Sequence, residues 1–160
     1  MVAGREEGAL KPVDGVPAWP APKTYDSPYR SGDSATKMAL GPGNTIYTAG
    51  MSIGANGLPD IPMRKWSSSG NVQWARRYDG PTHDGDRPMA VVVDSAGNVT
   101  VADVSVNGTN MDWVVVSWSA SGVKLWASRY GAGAPHQMMP TDLVVAADRS
   151  IYATGRAAAV

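Results

Sequence analysis

Cysteine is absent from this chain of 160 residues, which excludes a disulfide framework and any thiolate-ligated metal site. Exported proteins can also lack cysteine, so the compartment stays open. Charge of one sign is lacking too: 14 basic residues stand against 14 acidic ones, with no block of either. Nucleic acid and anionic membrane surfaces are held by clustered Lys and Arg, so neither is expected as a partner. No apolar run is long enough to cross a bilayer, and Met1–Gly8 has no hydrophobic h-region. As given, the chain is expected to be soluble, with no membrane insertion and no export signal of its own.

Helical periodicity is the next absence. Eighteen Gly and 12 Pro interrupt nearly every candidate helix, and short alternating runs between turn residues take its place. The composition is all-β. Phenylalanine is missing beside six Trp and six Tyr, a bias that the physical chemistry of the chain does not explain.

What is present is a repeat. Trp66-Ser-Ser-Ser-Gly-Asn-Val-Gln-Trp74-Ala-Arg-Arg-Tyr78 returns 52 residues later as Trp118-Ser-Ala-Ser-Gly-Val-Lys-Leu-Trp126-Ala-Ser-Arg-Tyr130. A period of this size marks a repeat architecture. Each unit reads as four short strands. In the first they are Lys37–Leu40, Thr45–Ser52, Ile61–Trp66 and Val72–Tyr78, with turns at Gly41–Asn44 and Ser67–Asn71. In the second they are Met89–Val93, Val99–Ser105, Asp112–Trp118 and Val123–Tyr130. A third unit begins with Asp142–Ala146 and Ile151–Gly155. Val16-Pro-Ala-Trp19 followed by Tyr25 resembles a lone final strand, placed at an edge by Pro20 and Pro22.

The pattern predicts an all-β fold, a partial β-propeller of four-stranded antiparallel blades, with two full repeats and incomplete ends. Residues 1–15 form a flexible lead, and residues 16–160 one repeat domain with units at about 33–78, 86–130 and 139–160. In such a blade the apolar first strand lies nearest the axis, buried on both faces. Trp74 with Tyr78, and Trp126 with Tyr130, are four apart on a strand and share a face. They are expected to pack between neighbouring blades, the alternative being an aromatic platform for sugar.

Asp86, Val-Val-Val-Asp94-Ser-Ala-Gly-Asn98-Val-Thr-Val, Trp118-Ser-Ala-Ser-Gly122, Leu-Trp126 and Tyr130-Gly131 together resemble the bacterial SBBP-type β-propeller repeat family over about residues 33–155. Gly41-Pro-Gly43 departs from the pattern's Asp-Ser-x-Gly turn, and Asp103 stands where the pattern has Gly. The resemblance implies a propeller of exported or cell-surface bacterial proteins, and no shared catalytic residues.

Two full blades and two partial ones fall short of a closed ring. The expected partners are therefore the missing blades of a longer chain or copies of the chain itself, besides a carbohydrate or protein ligand. Candidate site residues lie in the inter-blade connections. Tyr29, His83 and His136 each follow a proline there, and quasi-symmetry can gather their rings on one face. Two imidazoles can hold a metal, or each ring can stack on the next blade. Asp79, Asp84 and Asp86 with Gly80 and Gly85 resemble a loose oxygen-ligand loop for calcium, although Asx turns account for the same acids. Asp33 and Asp86 open equivalent first strands and can line a channel mouth as an acid–base pair. No Ser-His-Asp order, phosphate loop or His-Glu-x-x-His is present.

Three functions remain open: a non-catalytic propeller scaffold for ligand binding or adhesion, a self-assembling ring or filament, and a carbohydrate-active hydrolase or lyase. The first is the expectation, with no cofactor other than calcium.

Overall fold

A computed structural model describes residues 32–80, 83, 85–107, 110–131 and 136–159. Ten strands occupy them: β1 Ser34–Gly41, β2 Thr45–Ile53, β3 Pro59–Trp66, β4 Val72–Tyr78, β5 Asp86–Val93, β6 Val99–Asn107, β7 Asn110–Trp118, β8 Lys124–Tyr130, β9 His136–Val145 and β10 Ile151–Ala159. No α-helix occurs among the described residues, and a single 3-10 turn, Pro42–Asn44, links β1 to β2. The expected lone strand at residues 16–25 lies outside the described residues.

β1 to β4 form one antiparallel meander in sequence order. β5 to β8 form a second, and β9 with β10 make an antiparallel hairpin joined to β7 by one parallel residue pair, Met111 with Gln137. The described sheets do not close into a barrel or ring. β9 begins six residues before the alternation predicts, and β10 runs four residues beyond it, through Arg156-Ala-Ala-Ala159.

The turns follow from their side chains. Ser67 Oγ accepts the Asn71 N–H and Ser119 Oγ accepts the Val123 N–H, so the same hydroxyl closes the same hairpin in both sheets. Asp94 Oδ1 accepts the N–H groups of Ala96 and Asn98 across the β5–β6 turn, where Gly97 takes φ +81. Its counterpart 52 residues on is Arg149, at φ +70.

The main core lies between the two sheets. Tyr47, Ala49, Ile61, Met63, Trp74 and Tyr78 of the first meet Val99, Val101, Val114, Val116 and Trp118 of the second. On the far face of the second sheet, Ala90, Ala102 and Leu143 bury the β9–β10 hairpin with Val92, Val115 and Ile151. The alternation of β6 and β7 therefore serves two apolar layers, one per face.

Burial of the first strand does not follow the expectation. Met38 and Leu40 of β1 are exposed, and β5 is only half-buried along Val91–Val93. The deepest strands are the central pairs β2–β3 and β6–β7, which are hydrogen-bonded on both edges and covered by the neighbouring sheet. β1 ends its sheet, with one unpaired edge.

Candidate functional site

The first sheet docks on the second through side chains of β2, β3 and β4. Trp74 and Tyr78 are both 8% exposed. The Trp74 indole N–H donates to the Ala120 carbonyl at 3.0 Å, and Lys65 Nζ donates to the same oxygen at 3.0 Å. Arg76 Nε donates to the Gly122 carbonyl at 2.6 Å, and the Tyr47 hydroxyl to the Gly97 carbonyl at 2.7 Å. The turns Asp94–Asn98 and Ser119–Val123 of the second sheet thus receive the aromatic face of the first. Gly122, at φ +81, lies beneath the Trp74 ring so closely that a Cβ there would stand 2.9 Å from Trp74 Cδ2.

The second sheet presents the matching face, but much of it is bare. Trp126 is 42% and Tyr130 62% exposed. Trp113 tilts against Tyr130 at 6.0 Å between centroids and donates its indole N–H to the Arg156 carbonyl of β10. A shallow groove beside Trp126 is lined by Asp94, Asn98, Thr100, Ser117 and Arg149. Packing between sheets, expected of both aromatic pairs, holds for Trp74 and Tyr78. For Trp126 and Tyr130 it is corrected, because only the two-stranded β9–β10 hairpin covers that face, and it lies over β5, β6 and β7.

A second feature sits where the chain crosses from one sheet to the other. Carboxylate oxygens of Asp60 on β3, Asp79 after β4 and Asp86 at the head of β5 lie within 4.8 Å of one another. Asp79 and Asp86 are the residues that the loop pattern suggested; Asp60 is an addition from the first sheet. Asp84 and Tyr29 lie outside the described residues. Asp33, half-buried just before β1, stands outside this group. His136 opens β9, and its side chain is not among those described. His83 takes φ +54 and brings Nδ1 to 2.7 Å from Asp79 Oδ2, a contact that raises the imidazole pKa. It belongs to the exposed rim of this connection.

Beneath the rim the carboxyls are buried. Asp86 Oδ2 accepts the Gly80 N–H at 2.7 Å, and Asp86 also takes a hydrogen bond from Ser105. Asp103 Oδ1 accepts the Arg87 N–H at 2.6 Å, and its carboxyl stands within hydrogen-bonding reach of Asp86. With both groups ionised, Asp86 Oδ1 and Asp103 Oδ2 have no donor. One proton between them supplies it. Burial pushes Asp86 above the usual carboxylate range and Asp103 well above it, the Asp86 charge adding to the latter. Burial, then Asp86 and Asp103, push Tyr78 up to about 12, so its phenol stays neutral.

Each full sheet also carries one ion-paired corner. Arg77 pairs with Asp60 and donates to Ser52, and Arg129 donates to Asp112 at 2.6 Å and to Ser105 at 3.2 Å. These two sets occupy matching places in the repeat, a regularity legible in the chain had Ser52, Asp60 and Arg77 been set beside Ser105, Asp112 and Arg129. Asp103 was visible as an acid in place of a glycine. Gly50 and Gly155 hold the matching places in the other sheets, where a Cβ would strike the backbone of Ser34 and Met139 respectively.

No protein-family model matches this chain, and no curated protein matches its sequence.

Proposed function

We propose that the chain is a non-catalytic β-propeller scaffold of the SBBP-like kind that its sequence resembles. Its bare aromatic face takes a further strand pair that completes the third blade. One observation carries this reading. Trp74 and Tyr78 are covered by the next sheet, while Trp126 and Tyr130, in the same repeat positions, are open to solvent. A sheet that spends two large rings on a face normally buries it, since each ring contributes an apolar area of roughly 150–250 Å². The outer edge of β10 offers backbone groups for a β7-like strand, as β2 and β6 do for β3 and β7.

The completing strands come from further repeats of a longer chain or from a second copy. The setting that fits the resemblance is the surface or surroundings of a bacterial cell, where an assembled ring presents its connecting loops to a carbohydrate or protein. General acid–base chemistry at Asp33 and Asp86 is the weaker reading, because the Asp86 carboxyl is wholly buried.

Light scattering over a concentration series, combined with amide exchange, tests the proposal. A mass that climbs to multiples of 16.8 kDa, and returns to monomer in Trp126→Asp, identifies the partner as a second copy. A monomer that binds a peptide spanning residues 110–131, with slowed exchange in β10, identifies a continuing repeat. A monomer that does neither overturns the proposal.

A further inference from the structure

The carboxylates at the crossing between the sheets point to a ligand. Asp60 is buried to all but 5% of its side-chain surface, and Arg77 takes its Oδ2. Its Oδ1 is inaccessible to solvent and accepts no hydrogen bond. A carboxylate oxygen stripped of water and left without a donor is costly, and such groups are ordinarily compensated by a charge or a donor. Asp79 and Asp86 each bring a carboxylate oxygen within 4.8 Å of one of Asp60's, so three acidic groups, with Arg77 pairing only one oxygen of Asp60, share this crossing.

We propose that Asp60, Asp79 and Asp86 bind one calcium ion, which ties the first sheet to the second. The donors are all hard oxygens, the class that calcium and magnesium take. They arrive from three separate places: β3, the connection after β4, and the head of β5. Such a set gives an irregular shell, which calcium accepts with six to eight oxygens; magnesium demands a near-regular octahedron. Water and backbone carbonyls complete the shell. Asp79, exposed at the rim with His83, forms the entrance, and the buried Asp60 and Asp86 form the floor. An ion here bridges residues on either side of the inter-sheet core, so it holds the two sheets in one arrangement. This inference does not depend on the open face at Trp126.

The full chain, freed of cations with a chelator, is titrated with calcium chloride alone by calorimetry, and its thermal midpoint is followed in parallel. One saturable site is expected, with a dissociation constant on the order of 10⁻⁴ to 10⁻³ M, the range of extracellular modules. The midpoint should rise with calcium as the bound state is drawn off. Asp79→Asn, at an exposed position where loss of fold is not expected, should weaken binding by roughly tenfold or more, in line with the loss of one ligand charge. Asp148→Asn, in the distant β9–β10 turn, should bind as the parent does. Absence of saturable heat up to about 10 mM calcium overturns the proposal, as does an Asp79→Asn chain that titrates unchanged. An equal midpoint rise with magnesium overturns the assignment to calcium.

Discussion

The carboxyls of Asp86 and Asp103 meet inside the second sheet, both wholly buried, and hold a hydrogen bond only while one of them keeps a proton. Burial raises both above their value in the unfolded chain. Their contribution to stability is therefore complete below the unfolded value of 3.8 and is lost as pH rises through the folded values. Each unit of upward shift corresponds to about 1.4 kcal/mol. Asp103→Asn replaces one acid by an amide that can donate to Asp86 at any pH. In chelator, denaturant midpoints between pH 4 and 8 should fall less steeply for this variant than for the parent. Parallel pH profiles would show that no proton is shared.

Trp74→Ala and Trp126→Ala delete the same ring from the same repeat position. The first removes a buried indole with its hydrogen bond to Ala120, at a cost of about 3–5 kcal/mol. The second removes a ring already 42% exposed, and should cost less than half as much in the monomer. Urea unfolding of the two variants, measured at low protein concentration, compares them directly. Equal losses would mean that Trp126 is covered in solution.

Gly122 carries two constraints at once, a left-handed backbone and the Trp74 ring 2.9 Å from a would-be Cβ. Gly122→Ala should cost about 1–3 kcal/mol through strain and displacement of the ring. A blue shift or quenching change in tryptophan emission should accompany the loss, since the ring itself must move. Stability like that of the parent would place the glycine elsewhere than beneath Trp74.

Arg149 occupies at φ +70 the position that Gly97 fills at φ +81. A side chain in this region costs about 1–2 kcal/mol. Arg149 lines the groove beside Trp126 and is exposed, so little is lost with its side chain. Arg149→Gly should raise the unfolding free energy by about 0.5–1 kcal/mol, the greater freedom of glycine in the unfolded chain offsetting part of the relief. A lower thermal midpoint would assign Arg149 a contact worth more than its strain.

The sequence by itself located the ten strands and their turns, but not the start of β9 or the end of β10. Alternation and turn chemistry are local: Ser67 closes its hairpin with Asn71 four residues away, and Asp94 does the same with Asn98. The 52-residue return of Trp-Ser-x-Ser-Gly showed that one antiparallel unit is used twice. Asp79 and Asp86 were legible because they bracket one short connection. Tertiary structure alone decided the rest. Asp60 reaches them only because the chain crosses between sheets beside the head of β3. Asp103 is paired with Asp86 only because β6 lies beside β5 in that register. Two copies of one motif, Trp74 and Trp126, diverge in burial because burial belongs to the neighbour that covers a residue. The residue's own position along the chain does not set it.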